Sequence, residues 1–219
     1  MPNTLYVLNP NSSDTVTRGI DAAVAPLRVA GGPDIVCLSL PEGPPGVQTQ
    51  RDIDALVGPL CAQARSLQPR AAAFVIACFS DPGLHSLRET VGVPVLGIAE
   101  CGVLAALTLG QRFGVLSILP GSVPRHRRYF AAMGVEGRLA ADLPIGMTVG
   151  ELADREETLR RLADTGRQLR DTHGADVVVL GCAGMAGLRA DLQERLGIPV
   201  VEPTQAAVSM ALGRILLGW

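Results

Sequence analysis

The chain has 219 residues, of which 47% are hydrophobic and 18% charged, and its formal net charge is −2. This composition predicts an ordered globular protein with a buried core and excludes an intrinsically disordered chain. It also argues against a nucleic-acid partner, because basic and acidic residues are interleaved and aromatic residues make up only 3%.

No uncharged run approaches the ~18 apolar residues that span a bilayer. The beginning, Met-Pro-Asn-Thr, lacks the basic start and the long apolar segment of a signal peptide. We therefore expect a cytoplasmic protein without a membrane partner. All 19 basic residues are arginine. Without lysine there is no Schiff-base residue for pyridoxal phosphate chemistry and no Walker-type phosphate loop.

Short apolar runs bounded by glycine or proline alternate with helical stretches along the whole chain. Such runs are typical of strands buried on both faces of a parallel sheet. The predicted strands are 5–8, 35–38, 73–77, 95–98, 113–119, 176–180 and 199–201. The predicted helices are 13–25, 50–67, 84–91, 102–109, 124–133, 151–173, 188–196 and 204–217. This alternation predicts right-handed crossovers and a doubly wound α/β fold.

One strand–cysteine–helix–strand unit occurs twice in the chain. Cys78 follows one predicted strand, and Pro94 lies 16 residues further on in the next. Cys182 follows a later strand, and Pro199 lies 17 residues beyond it. The repetition predicts two similar doubly wound α/β lobes related by pseudo-twofold symmetry, with the active site in the cleft between them.

We place the lobes from the positions of the two units. The first comprises residues 1–101 plus 205–219 and carries Cys78. The second comprises residues 102–204 and carries Cys182. The strand running into Asn-Pro-Asn-Ser at 9–12 and the one running into Leu-Pro-Gly-Ser at 119–122 extend the repeat beyond the cysteine units.

Both cysteines fall at strand ends, where doubly wound proteins bind ligands. Unpaired N–H groups at the following helix starts attract anions, so we expect each thiol pKa to lie below its ordinary ~8.5. A thiolate on one face of a carbon acid and a thiol on the other could invert a stereocentre without a metal or an organic cofactor. Glycines 181, 184 and 187 would let the backbone approach a ligand closely.

Packing is the alternative role for a cysteine at a strand end, since free cysteine is often buried. We expect packing for Cys37, Cys61 and Cys101. The five cysteines form no C-x-x-C pair and the three histidines no metal-binding motif, so no metal site is predicted. The basic cluster at 125–128 is expected to begin a solvated helix.

Four segments resemble the aspartate/glutamate/hydantoin racemase superfamily, and most closely its hydantoin and allantoin racemase branch. They are Asn-Pro-Asn-Ser at 9–12, Ile-Ala-Cys-Phe-Ser-Asp-Pro-Gly-Leu at 76–84, Pro-Val-Leu-Gly-Ile-Ala-Glu at 94–100, and Leu-Gly-Cys-Ala-Gly-Met-Ala at 180–186. The resemblance covers nearly the whole chain in order, and the Gly-Cys-Ala-Gly-Met block is its most specific part.

This resemblance implies cofactor-independent racemisation or epimerisation at the C5 carbon of a substituted hydantoin or allantoin. It assigns catalysis to Cys78 and Cys182, a small-molecule substrate as partner, and a homo-oligomeric assembly. Asn11 and the backbone amides after each cysteine are expected to hold the ring. The residues expected to contact the substrate are Asn11, Phe79, Ser80, Pro120, Gly121, Ala183 and Gly184.

Three segments depart from that branch, namely 42–50, 118–122 and 202–205, and they leave the substrate open. Ser80, Asp81 and Glu202 are expected either to contact substrate or to cap helices. Other enzymes of the superfamily are alternatives: an aspartate or glutamate racemase, a maleate-type isomerase, or an arylmalonate-type decarboxylase, which uses one cysteine and is disfavoured by Cys78. A non-catalytic small-ligand-binding protein is the alternative from another class.

Overall fold

The computed structural model describes residues 3–219, so the first two residues of the predicted first lobe lie outside it. Within that range eight strands alternate with eight α-helices. The strands are β1 (Thr4–Asn9), β2 (Asp34–Ser39), β3 (Ala71–Ile76), β4 (Val95–Gly97), β5 (Phe113–Ser117), β6 (Leu139–Pro144), β7 (Val177–Leu180) and β8 (Val200–Val201). The helices are α1 (Asp14–Val24), α2 (Gln50–Leu67), α3 (Leu84–Thr90), α4 (Ile98–Leu109), α5 (Val123–Ala132), α6 (Arg155–Asp171), α7 (Arg189–Leu196) and α8 (Pro203–Leu217).

The strands form two parallel sheets with the same internal order. The first runs β2-β1-β3-β4 and the second β6-β5-β7-β8. The central strands β3 and β7 are apolar and almost completely buried, as expected where helices cover both faces of a sheet. The predicted pair of doubly wound α/β lobes with pseudo-twofold symmetry is confirmed.

Helices α4 and α8 lie between the two sheets and tie them together. Helix α8 packs against β3 of the first sheet, and α4 packs against β7 of the second. The two helices approach closely near their N-termini, where a Cβ on Gly102 would lie 2.7 Å from the Cβ of Pro203. One continuous apolar cluster therefore contains side chains of both sheets, among them Val75 and Val179. The exact lobe boundaries at 1–101 plus 205–219 and at 102–204 stay predictions.

Several element boundaries differ from those predicted. Strand β6 was not predicted, because this edge strand has no continuous apolar run and its buried residue is Asp142. Helix α4 begins at Ile98, four residues earlier than predicted, since its first turn is apolar and reads like the end of a strand. The predicted helix 151–173 is interrupted at Asp154, whose side chain accepts from the Glu157 N–H and caps α6.

Among residues 3–219, no helix is both long and apolar enough to cross a membrane. The cytoplasmic location stays a prediction.

Candidate active site

The two cysteines occupy equivalent places in the two lobes and face the same cleft. Cys78 lies two residues beyond Ile76, the last residue of β3, and Cys182 lies two residues beyond Leu180, the last residue of β7. Because equivalent strands of the two sheets end here, the pseudo-twofold relation brings the two thiols to one pocket. Its lining residues are Asn11, Val16, Val47, Ala77, Cys78, Phe79, Ser80, Ile118, Ser122, Arg125, His126, Val149, Gly181, Cys182, Ala183 and Gly184.

The turn after each cysteine leaves one backbone donor free. The Gly184 N–H donates to the Cys182 Sγ over 3.4 Å, and the Ser80 N–H donates to the Cys78 carbonyl over 2.8 Å. Among residues 3–219, the intervening N–H groups of Phe79 and Ala183 have no hydrogen-bond partner. Both residues are buried and line the cleft. Since buried backbone donors are rarely left unpaired, this pair of amides is suited to an oxygen atom of a bound ligand.

The predicted lowering of the thiol pKa values is wrong. Burial raises the pKa of Cys78, and the nearby Cys182 and Asp81 raise it further, against weaker opposing effects of the Ser80 N–H and Arg125. Burial raises the pKa of Cys182 to about 11, and the Gly184 N–H offsets only part of that increase. Loss of solvation therefore outweighs the local donors, and both thiols are neutral near pH 7.

Asp81 also contributes to the raised pKa of Cys78, after burial and the nearby Cys182. Its carboxylate accepts from the N–H groups of Ala99 and Glu100, at 2.9 and 2.8 Å, and from the Tyr129 hydroxyl at 2.7 Å. The first turn of α4 is thus already capped by a buried carboxyl group and is not free to stabilise a thiolate. Burial raises the pKa of Asp81 itself to about 7, although the three donors oppose the shift.

In the second lobe, Glu202 caps the first turn of α8 as Asp81 caps that of α4. Its carboxylate accepts from the N–H groups of Thr204 and Gln205 at the start of α8, at 3.0 and 2.6 Å. Burial raises the pKa of Glu202, and its charge in turn raises the pKa of Cys182. Asp81 and Glu202 were expected either to contact substrate or to cap helices; the structure places both as caps, and neither lines the cleft.

Asn11 presents an amide group to the cleft. Its Oδ1 accepts from the Asn9 Nδ2 and the Ser13 N–H, both at 2.9 Å. The backbone donor at Ser13 fixes which end of the side-chain amide is the oxygen. Within residues 3–219 the Asn11 Nδ2 has no hydrogen-bond partner, so its two N–H bonds remain for a ligand carbonyl.

Most of the other predicted contact residues also line the cleft, namely Phe79, Ser80, Ala183 and Gly184. Pro120 and Gly121 do not: they lie in an exposed 3-10 turn that directs them outward, and the Gly121 carbonyl accepts from Arg125. The cleft wall on that side is formed by Ile118 and Ser122 instead. Substrate contact by Pro120 and Gly121 stays a prediction.

The sequence reasoning missed Arg125 and His126, which it assigned to a solvated helix start. His126 is 3% exposed and its Nδ1 lies 2.7 Å from the Asp142 Oδ2. Its ring packs edge-on against Phe79, with the centroids 5.2 Å apart. The i, i+4 spacing of His126 and Phe130 on α5 was a readable sign that this face is buried.

The remaining cysteines lie outside the cleft. Cys61 and Cys101 are buried and Cys37 is partly buried, and burial raises the pKa of Cys37 and of Cys101 to about 12. In the part of the chain that the structure describes, no group of three or more His, Cys, Asp or Glu side chains could hold a metal ion.

Comparison with known proteins gives matches over nearly the whole chain. Residues 5–211 match the family model of Asp/Glu/Hydantoin racemase. The sequence is similar to a hydantoin racemase of Rhizobium meliloti, with 35% identity over 213 residues that cover 94% of this chain and 86% of that protein.

Two solved structures are similar in fold as well as in sequence. The allantoin racemase of Pseudomonas fluorescens superposes with a TM-score of 0.94 at 27% identity, covering 98% of this chain and 92% of that one. The allantoin racemase of Klebsiella pneumoniae gives a TM-score of 0.90 at 30% identity, covering 98% and 88%. These matches therefore extend over both lobes and not over one repeat alone.

Proposed function

This chain belongs to the Asp/Glu/hydantoin racemase family, and on that premise we propose that it racemises the C5 carbon of a hydantoin-type ring through Cys78 and Cys182. Family membership and the similar hydantoin and allantoin racemases give the broader activity, that of a racemase and hence an isomerase. The observation that carries the finer proposal is the meeting of two thiols from equivalent strand ends in one cleft.

The proposed chemistry uses one thiol as base and the other as acid. The C5–H of a hydantoin lies between a carbonyl carbon and a ring nitrogen, so the anion left by its removal delocalises into an enolate. One cysteine, as thiolate, removes this proton, and the other delivers its own proton to the opposite face, which inverts C5. The reverse reaction exchanges the two roles, in keeping with the pseudo-symmetric placement of Cys78 and Cys182.

The raised thiol pKa values fit a base for a weakly acidic carbon. A thiolate with a higher pKa takes a proton more readily, although fewer molecules carry it at neutral pH. The resting cleft holds two neutral thiols, so one proton must leave before turnover begins. Arg125 is the nearby cation that favours the thiolate form of Cys78.

Three groups are placed to stabilise the enolate. The unpaired N–H groups of Phe79 and Ala183 follow the two cysteines directly, and the Asn11 Nδ2 lies on the cleft wall. Donors that are fixed before the reaction stabilise developing negative charge without reorganisation, usually the largest single contribution to such catalysis. We assign ring binding and enolate stabilisation to these three groups.

A decarboxylase or a binding protein would use the same scaffold differently. A decarboxylase of the arylmalonate type needs one cysteine, so the pair favours a racemase. A binding protein needs neither thiol to be accessible, whereas both are partly accessible to the cleft.

The test is a panel of enantiopure 5-substituted hydantoins and allantoin, followed by circular dichroism in H2O and by loss of the C5–H signal in D2O. We expect racemisation with deuterium uptake in the wild type, and loss of the racemisation in C78S and in C182S. The matched control is C37S, a partly buried cysteine outside the cleft, which should racemise like wild type. Release of CO2 from a malonate would identify the decarboxylase. Binding without exchange at any substrate carbon would identify the binding protein.

We also propose that the protein forms homo-oligomers, as the family resemblance implies. Sedimentation velocity at micromolar concentration tests this directly: a single species of about 22.9 kDa, the mass of one chain, would contradict it.

A further inference from the structure

The thiol cleft adjoins a second pocket. The two share Ser80, Arg125 and His126, and the second pocket is completed by Gln50, Ile53, Arg128, Tyr129 and Ala132. Its empty space is about 610 Å³, open solvent at its mouth included. A ring held between the cysteines would direct a substituent on this side towards the second pocket.

Arg125 lines both pockets and forms no ion pair among residues 3–219. Its Nη1 donates to the Gly121 carbonyl at 2.7 Å and its Nη2 to the Ser122 Oγ at 3.2 Å. Its Nε is buried and has no partner within residues 3–219, and no carboxylate of those residues lies within 4.0 Å of the guanidinium.

The nearest carboxylates already have other partners. Asp52 accepts from the N–H groups of Gln48 and Thr49 at the start of α2, and Asp142 is paired with His126. Arg128, on the same pocket wall, donates to the Gln50 side-chain oxygen. The wall thus holds two cations and no carboxylate among its lining residues.

A third pocket also adjoins the cleft and has a different lining. It shares Val16, Val149, Ala183 and Gly184 with the cleft. The described lining of that pocket consists of small, apolar and hydroxyl residues without a charged side chain. The two pockets that adjoin the thiol cleft therefore differ in charge, and of these two only the pocket at Arg125 has cationic side chains in its lining.

Building on the proposed function, we propose that Arg125 is a specificity-determining residue and that the preferred substrate is a hydantoin whose C5 substituent ends in a carboxylate. The carboxylate binds the Arg125 guanidinium at the pocket junction, with Arg128 as the second cation. A guanidinium that lines the pocket without a carboxylate partner favours such a group over a neutral one, because a charge-assisted hydrogen bond is roughly twice as strong as a neutral one.

The test compares two isosteric probes, 5-(2-carboxyethyl)hydantoin and its neutral amide 5-(2-carbamoylethyl)hydantoin. We expect the wild-type kcat/KM for the acid to exceed that for the amide by about tenfold or more, as the strength of a charge-assisted hydrogen bond implies. In R125Q this preference should fall to about one, and R125K should keep part of it. Melting curves by circular dichroism establish that both variants fold.

The matched control is R127Q, which removes an equal charge from an exposed position on the same helix that lines neither pocket. It should keep the wild-type preference. The inference is overturned if the wild type does not prefer the acid, or if R125Q reduces kcat/KM for both probes by the same factor, which would assign Arg125 to thiol activation or to folding.

Failure of the proposed function has a separate signature. If no compound of the panel exchanges its C5–H, these two probes included, the proposed reaction is wrong, and the ratio of the two dissociation constants from calorimetry decides the inference alone. If other hydantoins exchange and neither probe does, the inference is overturned. Tighter binding of the acid that R125Q abolishes would support a carboxylate site at Arg125. Equal binding of acid and amide, or no binding of either, would overturn it.

Discussion

A Cβ atom on Gly97 would lie 2.1 Å from the carboxyl carbon of Asp81. Gly97 has an ordinary extended backbone, with φ −103°, so space and not conformation requires glycine there. In the second lobe the position equivalent to Gly97 is Glu202, which caps α8 with its own carboxylate. The two lobes thus keep one buried carboxylate behind each thiol but attach it at different points of the chain.

Gly97→Ala should destabilise the fold, because the new methyl group cannot coexist with the Asp81 carboxyl in its present position. We expect a loss of about 1–3 kcal/mol in the free energy of unfolding, typical of overpacking, measured by urea denaturation. The matched control is Gly213→Ala in α8, where an added Cβ meets nothing within 4 Å. That control should be neutral or slightly stabilising, since alanine is the better helix former. An equal loss in both variants would contradict the steric explanation.

The two lobes also predict a rescue. Asp81→Ala alone leaves the Ala99 and Glu100 N–H groups uncapped, and Gly97→Glu alone forces two carboxylates together. The double variant D81A/G97E copies the Glu202 arrangement into the first lobe and should restore the cap. A double-mutant cycle of unfolding free energies should give a favourable coupling of about 1–3 kcal/mol. Additive losses would show that the two positions do not exchange roles.

The repeat in the sequence predicted most of the fold and the location of the site. Buried strands such as β3 and β7 can be recognised as continuous apolar runs. Each cysteine lies two residues beyond its strand, so its position at the strand end could be predicted as well. Strand β6 could not be recognised that way, because an edge strand needs no continuous apolar face. The cap of α4 was likewise hidden, since Asp81 lies 17 residues before the helix begins.

The protonation states of the two thiols and the burial of the basic residues on α5 could not be predicted from local sequence. The expectation of acidic thiols followed from the helix starts after each cysteine, but loss of solvation outweighs those donors, and the charges of Asp81 and Glu202 raise the thiol pKa values further. Arg125 and His126 resembled surface residues because they belong to a run of basic residues at 125–128. The structure exposes only the second half of that run, Arg127 and Arg128. The packing of α5 against Phe79 is what shows that Arg125 and His126 face inward and that Arg127 and Arg128 face solvent.

The raised thiol pKa values predict slow alkylation at neutral pH. With the Cys182 pKa at about 11, fewer than about one protein molecule in a thousand carries this thiolate at pH 7.5. The rate of carboxamidomethylation of the Cys182 peptide by iodoacetamide, measured by mass spectrometry, should rise about tenfold per pH unit from 7 to 10. A free thiol control such as N-acetylcysteine should level off earlier. A rate that does not change with pH above neutrality would contradict the raised pKa and would support the low thiol pKa expected from the sequence.

The same shift links stability to alkaline pH. The folded state holds the Cys182 proton more tightly than the unfolded chain, whose thiol has a pKa of ~8.5. The resulting stabilisation is complete below that pH and is lost as pH rises towards about 11. C182S should therefore show a smaller loss of unfolding free energy between these pH values than wild type does. An identical pH profile in the two proteins would contradict the raised pKa.

The central claim is that Cys78 and Cys182 act on opposite faces of one carbon, and single-cysteine exchange tests it most directly. Each enantiomer of a 5-substituted hydantoin is incubated in D2O with C78S and with C182S, and C5–H loss and inversion are followed together. We predict that neither variant racemises the substrate, and that each still exchanges the C5–H of one enantiomer with retention, the two variants choosing opposite enantiomers. Exchange of the same enantiomer by both variants, or racemisation at the wild-type rate by either, would contradict the two-face mechanism.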